Sequence, residues 1–191
     1  MDAFLVSTGV VALGEIGDKT QLLAMVLAAR YHRPVLICLG VLIATLANHA
    51  LAGLAGQLVA RLLDPTVLQW LLGISFLLMA GWLLIPDKLD EAPAPMRGLG
   101  VLAATITLFF LAEMGDKTQI ATVALAARYD SLVAVVGGST LGMMLANVPA
   151  VYFGARAADR LPARLIHGIA AVLFASLGGL TLLHAAGILG A

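Results

Sequence analysis

Apolar residues along this chain fall into six long runs separated by short polar stretches. At about 20 residues per crossing of a hydrocarbon core roughly 30 Å thick, the runs predict spans near 3–29, 34–60, 66–86, 98–127, 131–156 and 165–189. The breaks carry helix-stopping punctuation: Arg30 to Pro34, Arg61 to Pro65, Pro86 to Arg97, Arg128 to Asp130, and Arg156 to Arg164. The third is the most polar stretch, with Asp87, Lys88, Asp90, Glu91, Pro93 and Pro95, and residues 87–97 read as a linker. The expected fold is an all-α integral membrane protein of six transmembrane helices in a single membrane domain.

An internal repeat divides the runs. Glu15-Ile16-Gly17-Asp18-Lys19-Thr20-Gln21 recurs 98 residues later as Glu113-Met114-Gly115-Asp116-Lys117-Thr118-Gln119, and both copies continue to Leu-Ala-Ala-Arg-Tyr. Eleven of the seventeen positions match, every charged one among them. Residues 1–86 and 98–191 are therefore expected to be duplicates. Each half holds three spans, an odd number, so the second enters the membrane from the opposite side. Inverted repeats of this kind recur among secondary transporters, with the site at mid-membrane where the repeats meet. The motifs fall there: the first span centres near residue 16 and the fourth near residue 112.

Composition agrees. The chain is 61% hydrophobic and 12% charged, with a mean hydropathy of +1.02, against about 25% charged in a soluble domain. Membrane lipid is the implied surround. A formal net charge of zero gives no case for nucleic acid as a partner. Cys38 is the single cysteine, which excludes an internal disulfide or a cysteine-cluster metal site and suits a small packing residue. The N-terminus has no basic stretch ahead of its first apolar run and reads as mature protein. The odd-numbered loops hold Arg30, Arg33, Lys88, Arg97, Arg156, Arg160 and Arg164, and the even-numbered ones only Arg61 and Arg128. That bias puts the odd loops in the cytoplasm and both termini outside the cell (inner) membrane.

Charge inside the spans is the candidate chemistry. A charged side chain at the bilayer centre costs about 2.5–3.5 kcal/mol even on the mildest scale. Glu15, Asp18, Glu113, Asp116, Lys19 and Lys117 must therefore face one another. They form either structural ion pairs that lock the halves together or an ion site. On an unbroken helix Glu15 and Asp18 share a face, as do Glu113 and Asp116, and Lys19 could pair with Glu15. Gly17 and Gly115 mark either close packing or a helix break that would turn carbonyls, Thr20 and Thr118 toward the site. Carboxylates, amides and hydroxyls are hard oxygen donors suited to Mg2+, Ca2+ and Mn2+. The four acids contribute −4 and the charge-balancing Lys19 and Lys117 +2, leaving a charge matched by one divalent cation or two protons.

Further candidates are weaker. Asn48 and Asn147, in corresponding places of spans two and five after a one-residue slip, could complete the coordination or join the helices. Pro149 would free the carbonyl of Leu145. Gln21 and Gln119 point away from the acids unless the helix unwinds. His49 reads as a satisfied buried histidine in preference to a proton relay, and His32, His167 and His184 lie near the interfaces. Gly53, Gly56, Gly137, Gly138 and Gly142 suit close helix packing. Three rival functions are weighed. An exporter of amino acids or small metabolites would want fewer acids. An intramembrane aspartyl enzyme would not follow each Asp with Lys, so the chain is read as no enzyme. A scaffold would tolerate Gln at Glu15 and Glu113.

The pattern Glu-apolar-Gly-Asp-Lys/Arg-Ser/Thr, once in each half of a six-span chain, resembles the Gdt-type family of divalent cation–proton exchangers, which includes bacterial manganese exporters and a Golgi protein linked to glycosylation. The resemblance covers the whole chain and neither motif departs from it. It implies export of Mn2+, or of Ca2+, from the cytoplasm against protons by alternating access. The implied ion-binding residues are Glu15, Asp18, Glu113 and Asp116, and no prosthetic group is expected.

Overall fold

The computed structural model describes residues 1–85, 100–154 and 163–188. Among them are eight helices and no strand: α1 (Asp2–Glu15), α2 (Lys19–Tyr31), α3 (Pro34–Leu62), α4 (Pro65–Leu83), α5 (Val101–Glu113), α6 (Lys117–Arg128), α7 (Leu132–Phe153) and α8 (Ala163–Ala185). The protein is an all-helical membrane protein. Four helices are long and apolar enough to cross a bilayer: α3, α4, α7 and the Leu165–Ala185 part of α8. The first and fourth apolar runs are not continuous helices, which decides between the two readings of Gly17 and Gly115 in favour of a break. Each is a pair of short helices, broken at Ile16-Gly17-Asp18 and at Met114-Gly115-Asp116. The 87–97 linker lies outside the described residues, as do Arg156 and Arg160.

Helix ends follow local chemistry. Pro34 and Pro65 open α3 and α4, where a missing N–H costs nothing. Asp64 caps α4 by accepting from the Thr66 amide at 2.9 Å. α2 stops at His32, which turns left-handed at φ 51°.

Two clusters of buried apolar residues fill the interior, around Phe76 and Phe174 and around Leu27 and Phe109, but polar residues are buried among them while large apolar ones face outward. Along α3, Leu39, Leu42, Ile43, Leu46, Leu51, Leu54 and Leu58 are exposed, while Thr45, Asn48 and His49 are fully buried. That inversion is stable only where hydrocarbon replaces water. Small residues let the inner helices close up. A Cβ on Gly56 would stand 2.2 Å from the Val123 carbonyl oxygen, and one on Gly138 2.4 Å from that of Phe4. Gly53 and Gly142 are equally tight, whereas Gly137 meets only ordinary contact.

These contacts set the helix directions. Phe4 lies on Gly138, Thr8 on Gly142 and Glu15 on Asn147, so α1 runs parallel to α7. Gly40 meets Leu102 and Thr105, and Asn48 reaches Phe110, so α3 runs parallel to α5. α4 and α8 are antiparallel, with Gly73 against Leu182 and Leu77 against Gly178. Phe76 and Phe174, themselves 98 residues apart, meet at 6.0 Å between ring centroids in this last contact.

Candidate functional site

The spacing of the motif has a local physical meaning. Ile16 has φ −66° and ψ 118°, Gly17 has φ 85°, and the Asp18 amide donates to the Glu15 carbonyl at 3.0 Å. These are the marks of a type II turn, whose third residue needs positive φ and so favours glycine. Met114 (φ −63°, ψ 116°), Gly115 (φ 75°) and the Asp116-to-Glu113 bond at 3.1 Å repeat it. The glycines thus serve a helix break.

Each Asp then stands at the N-cap of the following helix, but neither side chain makes a capping hydrogen bond. The glutamines instead satisfy the amide one residue before each N-cap. Gln21 Oε1 accepts from the Gly17 amide at 2.9 Å, and Gln119 Oε1 from the Gly115 amide at 2.6 Å. A Gln at the third helical position reaching back to an orphan amide is a variant of the capping box. Thr20 Oγ1 donates to Glu15 Oε1, and Thr118 Oγ1 to Glu113 Oε2 at 3.0 Å. Glutamate, glycine, aspartate, threonine and glutamine are all accounted for by one turn that frees the carboxylates to point elsewhere.

They point at each other. One carboxylate oxygen from each of Glu15, Glu113 and Asp116 lies within 4.8 Å of the other two, with all three residues buried. Acids 98 residues apart in sequence meet in one buried cluster. Glu15 Oε2, Glu113 Oε1, Asp116 Oδ2 and Asn147 Oδ1 are buried with no hydrogen-bond partner among the described residues. A set of such oxygens fits a hard divalent cation of the Mg2+, Ca2+ or Mn2+ kind. Asp18 is buried as well, near enough for its charge to act on Glu15 and Lys19, but stands outside that group of three.

The lysines are not equivalent. Lys19 Nζ is 2.7 Å from Asp116 Oδ1 and so joins the two motifs, in place of the expected pairing with Glu15. With Glu15 ending α1, the intervening turn carries Lys19 away from the face where i and i+4 would meet. Lys117 is buried, its Nζ donating to the Ile85 carbonyl at 3.1 Å and lying 5.9 Å from the Trp82 ring centroid.

The second-rank residues divide. Asn147 Nδ2 donates to Glu15 Oε1 at 3.3 Å, whereas Asn48 Nδ2 goes to the Phe110 carbonyl at 3.0 Å. Gln21 and Gln119 join the break, as unwinding requires. Near Pro149 the group engaged is the Ala146 carbonyl, which accepts from Gln21 Nε2 at 3.0 Å. His49 is not the satisfied histidine expected: it is fully buried and neither ring nitrogen has a hydrogen-bond partner among the described residues. His167, assigned only to an interface, lies 2.5 Å through Nε2 from the Ile16 carbonyl of the first break. A helix break must expose carbonyls, which is the signal that could have flagged a donor on a neighbouring helix.

His167→Leu is expected to leave that carbonyl unpaired, at a cost of about 1–3 kcal/mol. At roughly 2–4 °C per kcal/mol for a chain of this size, the thermal midpoint in detergent falls measurably. His167→Gln, which keeps a donor, recovers most of it. Equal midpoints for the Leu and Gln variants would remove His167 from this role.

Comparison with known proteins gives a consistent picture. The model of the divalent cation/proton antiporter GDT1 family matches residues 3–91 and 101–188. A "Putative manganese exporter" of Vibrio cholerae is 52% identical over 175 residues, covering 91% of this chain and 87% of that protein. A GDT1-like protein of Synechocystis is 31% identical over 91% of this chain and 93% of its own length. GDT1-like protein 3 of Arabidopsis thaliana is 28% identical over 91% and 68%. No solved structure matches.

Proposed function

Because the chain belongs to the GDT1 divalent cation/proton antiporter family, a family of membrane transporters and not of enzymes, we propose that this divalent-cation transporter exports Mn2+ from the cytoplasm in exchange for protons. Ca2+ is the second candidate cargo. The observation that carries this reading is the buried meeting of Glu15, Glu113 and Asp116, brought from two motifs into one oxygen-lined pocket. Asp18 completes the acid set, and Thr20, Thr118, Gln21, Gln119, Asn48 and Asn147 support it.

Three acids and Lys19 in one place carry a net negative charge that a divalent ion neutralises, or that protons neutralise when the ion leaves. Alternate occupancy of the same oxygens by metal and by protons makes each compete with the other, which is the basis of obligatory exchange. Lys19 on Asp116 offsets part of the repulsion while the pocket is empty of cargo.

The layout we propose is six spans in two inverted repeats, residues 1–86 and 98–191, in which α1 with α2 and α5 with α6 each form one discontinuous span. Three features support it: the 98-residue motif repeat, the parallel pairing of α1 with α7 and of α3 with α5, and the meeting of Phe76 with Phe174. Rocking of one repeat against the other would open the midplane pocket to either side. In the inner membrane, the basic loop residues orient both termini outward.

Purified protein in liposomes tests the reading. An inward or outward pH gradient is expected to drive Mn2+ against its own gradient in the opposite direction to protons. Collapsing the pH gradient with a protonophore should stop the uphill flux. Excess Ca2+ should compete and amino acids should not. Mn2+ flux indifferent to the pH gradient would overturn the proton coupling.

A further inference from the structure

The two halves carry the same amides but bond them differently. At one motif Gln119 Nε2 donates across the halves to Asn48 Oδ1 at 3.1 Å and Asn48 Nδ2 to the Phe110 carbonyl at 3.0 Å, so both ends of that asparagine are engaged. In the other, Gln21 Nε2 reaches not the corresponding Asn147 but the carbonyl of Ala146. Asn147 Nδ2 donates to Glu15 Oε1 at 3.3 Å and to the Met143 carbonyl at 3.1 Å. Two acceptors on Nδ2 fix which atom is the nitrogen. Asn147 Oδ1 is therefore a fully buried amide oxygen beside the Glu15 carboxylate, with no hydrogen-bond partner among the described residues.

A buried acceptor left unpaired is costly, and an amide oxygen is a good ligand for a hard divalent ion. Asn48 Oδ1, already accepting from Gln119 and so turned toward it, is the less available of the two. We propose that Asn147 and Asn48 ligate the cation in turn, each released or held by the glutamine of the half that faces it. In this conformation Asn147 offers its oxygen to the ion and Gln119 latches Asn48. In the oppositely facing conformation Gln21 latches Asn147, and Asn48 turns toward Glu113. The proposal rests on the exchanger reading above and assigns these residues a state. Inverted repeats make the two conformations images of each other, so an asymmetry between halves in one becomes the reverse asymmetry in the other. In this conformation Gln21 Oε1 and Gln119 Oε1 are anchored on the Gly17 and Gly115 amides, so each side-chain amide can swing about that anchor to take or release its asparagine. Each latch stabilises one conformation and not the other, which is what shifts a population.

The test measures Mn2+ flux in liposomes of known protein orientation, with half-saturation determined separately at each face. Gln119→Leu removes a bond specific to this conformation. It is expected to raise half-saturating Mn2+ several-fold at one face and lower it at the other, and Gln21→Leu does the reverse. Gln→Glu at each position keeps an oxygen for the glycine amide and replaces the amide donor by a second oxygen, adding an ionisable group that the two positions share, so that only the opposite signs at the two faces report the latch. These variants give the same pair of opposite signs should the Leu variants not fold. Shifts of the same sign for both glutamines, or none at either face, overturn the latch while leaving wild-type exchange intact. A wild type that moves no Mn2+ overturns the exchanger reading and the latch with it.

Discussion

Glu15→Gln and Glu113→Gln are each expected to reduce Mn2+ exchange by about two to four orders of magnitude without unfolding the protein. Gln keeps the shape of Glu and an oxygen for the threonine hydroxyl that each acid now receives, from Thr20 or Thr118. What it loses is the charge facing the pocket. Removing one member of a buried, compensated set of charges costs about 3–5 kcal/mol, and each 1.36 kcal/mol is tenfold in rate. The divalent ion meets that loss when it sits among Glu15, Glu113 and Asp116. Efflux from Mn2+-loaded liposomes measures the effect, and size-exclusion profiles with melting midpoints report the fold. A lock made only of structural ion pairs would instead show little change in flux and a large loss of stability. Asp116→Asn belongs to the same series but also strips Lys19 of its partner, so its melting midpoint should fall further than that of either Gln variant.

Much of this arrangement was legible in the residues. The apolar runs gave the helices, and the cost of charge in hydrocarbon forced the acids of both motifs together. The matching motifs identified which acids those were. The breaks were less legible, since a glycine between two acids serves close packing and a turn equally well. The deciding facts are a φ of 85° at Gly17 and 75° at Gly115, which belong to the backbone and not to the composition. The same fact decides Lys19: a pairing with Glu15 at i,i+4 presumes a continuous helix, and a turn of three residues removes the premise. His167 was hard to single out because its partner is a main-chain carbonyl, and only the break at Gly17 marks that carbonyl as one in need of a donor. The differing bonds of Asn48 and Asn147 could not come from sequence, because like residues in like places predict like bonds. Only a conformation, which chooses one face of the membrane, separates them.

Gly115→Ala should be damaging although it alters no polar side chain. A methyl group there meets nothing within 4 Å, so no clash enters the result. The effect comes from the φ of 75°, a conformation that costs an L-residue about 1–2 kcal/mol. The chain can avoid that strain by continuing the helix from α5 into α6. Doing so would draw Asp116 and Gln119 onto other faces and dismantle the pocket's second half. Exchange is therefore expected to fall at least about tenfold, the equivalent of roughly 1.4 kcal/mol. Asn tolerates positive φ better than Ala, so Gly115→Asn should retain more exchange than Gly115→Ala although its side chain is larger. That ordering separates a turn from a packing site, where the smaller substituent would do less harm. Flux in liposomes and unfolding in detergent, run on both variants, decide between the two. An alanine variant that transports as well as the asparagine variant would mean that the break at the second motif is not what positions its acids.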